Sequence, residues 1–98
     1  MRSSTDDLGV ARPISSKLKR ESKTYRQALG AVVTRLRTDK MWSQETLAEK
    51  TGYSTAYVIG LEHGRRNPSL EMIQAIAGVF GISPSQLLAQ AERKQAKR

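Results

Sequence analysis

Apolar residues recur with helical spacing along most of the chain, and no stretch alternates as a half-buried strand does. Leu29, Val32, Val33 and Leu36 stand at i, i+3, i+4 and i+7, which predicts a first helix from Tyr25 to Asp39. Gly30 inside it weakens a helix relative to Ala and so marks a close contact. Leu47 and Ala48 fall in a second helix, Gln44 to about Thr51, and Val58 and Leu61 in a third, Thr55 to about His63. Leu70, Ile73, Ile76, Ala77 and Phe80 form the buried stripe of a fourth, ended by Gly81. Leu87 and Leu88 belong to a fifth.

The starts of these helices are written in serines. Ser43, Ser54 and Ser69 are each placed to cap the helix that follows. Ser83-Pro84-Ser85-Gln86 combines a Ser cap, a proline at the first helical position and a Gln that reaches back. Gly64 supplies the left-handed stop expected after the third helix. The expected fold is all-α: a compact domain of five short helices over residues 24–91. Before it lies an arm, residues 1–23, flexible or partly helical from Ser16 onward. Its Leu8, Val10, Ile14 and Leu18 are too sparse for a core, and Lys17, Lys19, Arg20 and Lys23 are its cations. After the domain comes a basic tail, residues 92–98, with Arg93, Lys94, Lys97 and Arg98, expected to fray.

The second and third helices carry the informative pattern. Counting from Gln44, the fifth residue is the small Ala48, where two helices must approach closely. The ninth is Gly52, where the corner needs positive φ. The fifteenth and eighteenth, Val58 and Leu61, face the core. This is the register of a helix-turn-helix, in which the second helix of the corner enters a DNA groove.

Composition narrows the partner. The 98 residues carry a net charge of +8, with 38% hydrophobic and 27% charged residues. That is one small domain with an aliphatic core and a preference for a polyanion. The absence of cysteine rules out a disulfide framework or a Cys-based metal site and fits the cytoplasm. No apolar run approaches the roughly 18 residues of a membrane span, and the first residues lack the apolar centre of a secretory signal. His63 is the only histidine, the carboxylates show no paired arrangement, and no glycine-rich phosphate cradle is present. No enzyme, metal or cofactor is therefore expected. Trp42 is expected over the edge of the core.

With these residues in place, the chain resembles the Cro/C1-type, or Xre-type, helix-turn-helix regulators. The resemblance rests on Leu29-Gly30, Leu36-Arg37, Ser43-Gln44, Leu47-Ala48, Gly52, Ser54, Glu62, Gly64, Asn67-Pro68-Ser69-Leu70 and Phe80-Gly81-Ile82. It covers about Leu29 to Leu88, and it implies a lambda-repressor-like domain that binds double-stranded DNA. By resemblance, Ser43 and Gln44 meet a phosphate, and Ser54, Thr55, Ala56, Tyr57 and Gly60 face bases or backbone in the major groove. Arg65, Arg66 and Asn67 run along the sugar-phosphate chain, and Arg37 and Glu62 form a structural ion pair. A homodimer on a palindromic operator is implied, with Ile82, Leu88 and Ala91 at its interface and Leu87 in the core.

The third helix departs from the family at Ile59 and Gly60, where a polar pair is usual. It holds no Arg, Asn or Gln for bidentate reading of a base. Phosphate contacts and DNA shape are then expected to supply an unusual share of binding. The implied function is a transcriptional regulator, a repressor or autoregulatory controller. The alternative is an antitoxin or bridging module, with a toxin or RNA polymerase as protein partner.

Overall fold

The computed structural model describes residues 15–96. The rest of the expected arm, with Leu8, Val10 and Ile14, and Lys97 and Arg98 of the tail lie outside the described residues. Five helices follow in order: α1 Ser16–Asp39, α2 Gln44–Thr51, α3 Thr55–Glu62, α4 Leu70–Val79 and α5 Pro84–Ala96. No strand occurs among the described residues.

Serine caps open the helices. The side chains of Ser15, Ser43, Ser54 and Ser69 accept from the amides of Leu18, Thr46, Tyr57 and Met72, the donors a helix start leaves unpaired. Before α5, Gln86 N donates to Ser83 Oγ at 3.1 Å and Ser83 N donates to Gln86 Oε1 at 2.8 Å, a reciprocal capping box. Gly52 closes α2 at φ 81°, a left-handed conformation that a side chain would strain.

The core is aliphatic, as the scarcity of aromatics implies. Val33, Leu47, Val58, Leu61, Met72, Ile76 and Leu87 are its largest fully buried side chains. Trp42 lies at its edge, half-buried and stacked on Phe80 with ring centroids 5.6 Å apart. Lys50 Nζ stands 4.6 Å and Lys40 Nζ 5.6 Å from the same indole.

Two boundaries extend those expected. The first helix starts at Ser16, where the arm was expected to be partly helical, and runs without a break through Tyr25, and the fifth runs to Ala96 instead of Ala91. The two extensions support each other. Gln95 Nε2 donates to Glu21 O at 3.0 Å and to Thr24 Oγ1 at 2.8 Å. The Tyr25 hydroxyl donates to Glu92 Oε2 at 3.2 Å and lies 3.4 Å from Leu88 O. Burial and the Glu92 carboxylate raise the Tyr25 pKa, because both oppose a phenolate there. The tail through Ala96 is thus a helical partner of α1 and not a frayed end. Among the described residues, no single helix is long and apolar enough to cross a membrane.

Candidate nucleic-acid interface

The α2–α3 corner is held from inside by a polar knot. Arg37 Nε donates to Glu62 Oε2 at 2.6 Å and its Nη2 donates to Glu62 Oε1 at 3.1 Å. Its Nη1 donates to Trp42 O at 2.7 Å, tying the α1–α2 turn to the same guanidinium. The Arg37 and Glu62 side chains are 12% and 3% exposed, so this pair is largely dry. The hydrogen bond to Glu62 raises the Arg37 pKa, against the opposing pull of burial.

Gln44 completes the knot. Its Nε2 donates to Glu62 Oε1 at 3.0 Å, and the residue is half-buried. One amide donor of the expected phosphate contact is thus turned inward to a carboxylate, and the second N–H of Nε2 is left over. Gln44 also has its backbone N–H in the first turn of α2, where helix amides are unpaired.

On the opposite side of the corner, Ser43, Ser54 and Ala56 are exposed and Thr55 and Tyr57 are half-buried. Tyr57 stacks on Tyr53, with centroids 5.4 Å apart and planes 30° apart. Gly60, expected on the open face, is instead buried. A Cβ there would lie 3.0 Å from Arg66 Cγ and 3.2 Å from its Nε, so the arginine stem covers the glycine. The Arg66 guanidinium carbon stands 5.4 Å from the centre of the Tyr57 ring.

The turn that delivers Arg66 is set by backbone geometry. Arg65 N donates to Gly60 O at 2.8 Å and Gly64 N to Leu61 O at 3.0 Å. These are the paired bonds of a Schellman stop, which reverses the chain after α3. The His63 ring nitrogen Nδ1 lies 2.8 Å from Ile59 O, a helix-end contact. Arg65, Arg66 and Asn67 are all exposed beyond the turn. Among the described residues, neither Arg65 nor Arg66 pairs with a carboxylate.

The structure therefore gathers Ser43, Ser54, Thr55, Ala56, Tyr57, Arg65, Arg66 and Asn67 toward accessible surface and withdraws Gly60, while the half-buried Gln44 gives one amide N–H to Glu62. Sequence reasoning missed the Arg66–Tyr57 contact. The only hint was Tyr53 and Tyr57, four apart beside a glycine. Of the residues expected at a dimer interface, Ile82 and Leu88 are half-buried. Ala91 is fully buried within the protomer, which corrects its expected place on an outer surface: its methyl has none to present.

Known proteins are similar to this chain in sequence and in fold. A family model described as helix-turn-helix matches residues 33–87. An uncharacterized HTH-type transcriptional regulator, y4dJ of Sinorhizobium fredii, is 33% identical over 67 residues, covering 68% of this chain and 87% of the relative. The immunity repressor protein of Bacillus phage phi105 is 34% identical over 62 residues, covering 63% of this chain but only 43% of the repressor. Among solved structures, the clp gene regulator ClgR from Corynebacterium glutamicum matches with a TM-score of 0.70 at 33% identity, covering 74% of this chain and 78% of that one. The buried Arg37–Glu62 knot, the left-handed Gly52 corner and these matches together assign the chain to the Cro/C1-type helix-turn-helix family.

Proposed function

We propose that this chain is a double-stranded DNA-binding transcriptional regulator that reads the major groove with α3 and acts in the cytoplasm as a repressor or autoregulatory controller. The observation that carries this reading is the pairing of an exposed first turn of α3 with Arg65 and Arg66, two cations that no carboxylate among the described residues neutralises. A cation beside a recognition helix meets the phosphates that flank a groove or the base edges within it. The net charge of +8 adds long-range attraction. The names of the relatives, a transcriptional regulator and an immunity repressor, point the same way.

A single domain covers one half-site, so two copies on a palindrome would place two recognition helices about 34 Å apart on one face of the duplex. We assign Leu88 and Ile82 to the contact between copies. Leu88 borders an apolar groove with Leu18, Tyr25, Leu29 and Ile73, and Leu18 is 55% exposed. Leu88→Glu should convert a dimer to a monomer in sedimentation and weaken DNA binding with it. An unchanged mass rejects this interface.

The alternative, a toxin-neutralising or bridging module, would use an apolar Ile59-Gly60 patch on α3. Gly60 lies beneath Arg66 and Ile59 is half-buried, so little of that patch is open to a partner. The test of the main reading is retention of DNA upstream of the chain's own gene in a gel shift. The double variant Arg65→Ala, Arg66→Ala should abolish most retention at moderate salt. Full affinity in that variant rejects the proposed function.

A further inference from the structure

The helix offered to the groove, TAYVIGLE, contains no Arg, Lys, Asn or Gln, yet a guanidinium lies on it. We infer that Arg66 is a base-reading residue, which recognises a guanine in the major groove from its seat on Tyr57 across Gly60. The inference rests on the DNA-binding reading above and names the residue that gives it specificity.

Three features of the seat separate this role from a phosphate clamp. First, Tyr57 and Gly60 are three apart in α3 and share one face, and the Arg66 side chain spans both. Second, Tyr57 is in the first turn of α3, and the N-terminal residues of a recognition helix reach base edges. The guanidinium is thus brought back from the loop to the reading end. Third, a guanidinium resting on an aromatic ring keeps its fork of N–H donors available. That fork matches guanine O6 and N7, the commonest specific contact in the major groove. Tyr53 stacks on the same Tyr57 ring, and the Schellman stop at Gly64 fixes where the stem leaves the backbone. A seated side chain also loses less conformational freedom on binding than a free one. Arg65, next to it, has no such contact with α3 and is left for phosphate.

Selection from a pool of random-sequence duplexes tests the inference with the full chain. Wild type should enrich a motif with a guanine position in each half-site. In Arg66→Ala and in Arg66→Lys, the preference for that guanine should fall at least about tenfold, within the range expected for a lost bidentate pair. In Arg65→Ala the motif should persist while every sequence binds more weakly. Gly60→Ala keeps the charge but places a methyl in the path of the stem, and the guanine preference should fall there too. If Arg66→Ala weakens all sequences equally and keeps the motif, Arg66 is a phosphate contact and the inference fails, with DNA binding intact. If wild type enriches no motif, sequence-specific reading fails and this inference with it.

Discussion

Two glycines sit on opposite sides of the corner and do opposite things. Gly30, in α1, meets the inner end of α3: a Cβ there would lie 2.5 Å from the carbonyl oxygens of both Leu61 and Glu62. Gly60, in α3 itself, faces the outer side, and its missing Cβ is filled by the flexible stem of Arg66. The inner neighbour is backbone and cannot yield; the outer neighbour is a side chain and can. The inner glycine therefore sets where α3 stands, and the outer one sets what lies upon it. Positioning and reading are carried by separate faces of one eight-residue helix.

The largest expected effect is on the inner side. Glu62→Ala strands Arg37 and Gln44 in a nearly dry site, at a cost of roughly 3–5 kcal/mol in denaturant unfolding. The double variant Arg37→Met, Glu62→Leu should lose much less than Glu62→Ala alone, because no unpaired charge is left behind. If the two variants are equally unstable, the pair is not what locks the corner. Gly30→Ala comes next. Its methyl forces α1 away from the end of α3, an overpacking expected to cost about 1–3 kcal/mol despite the better helix propensity of alanine. A stable Gly30→Ala variant with unchanged affinity would mean that the α1–α3 distance does not position the reading face.

Most of this inner side was legible in the sequence, and the outer side was not. Leu29, Val32, Val33 and Leu36 announce α1 because burial imposes a 3.6-residue period. Ser43, Gly52 and Ser54 announce the corner because only a few residue types solve a cap or a left-handed turn. The extensions Ser16–Thr24 and Glu92–Ala96 carry no apolar stripe. They are held by contacts such as Gln95 to Thr24, between residues too far apart in sequence to pair by pattern. Gln44 illustrates a different limit. A polar residue at a helix start reads equally as an anion contact or as an internal donor, and the internal bond shows only once Glu62 is placed. The contact of Arg66 with Tyr57 was hidden for a similar reason: a glycine at position 60 is visible in the sequence, but which side chain covers it is not.

Gln44→Ala tests that middle ground. Glu62 keeps both bonds to Arg37, so the loss should be about 1 kcal/mol, well below that of Glu62→Ala. Because the side chain faces inward, DNA affinity should fall no further than this small destabilisation implies. A large drop in affinity at unchanged stability would return Gln44 to the phosphate and break the division between the two faces.

The smallest effect on stability is expected at Gly60. Alanine is the better helix former by up to about 1 kcal/mol, and the obstructing atoms belong to an arginine stem that can swing into solvent. Gly60→Ala should therefore melt at or slightly above the wild-type temperature, where Gly30→Ala melts below it. The two substitutions are chemically identical and both remove a close approach, so their opposite signs would isolate the nature of the neighbour. A Gly60→Ala variant destabilised as much as Gly30→Ala would mean that Arg66 is locked in place as firmly as backbone. The outer face of α3 would then be part of the scaffold, and the division between a positioning face and a reading face would fall.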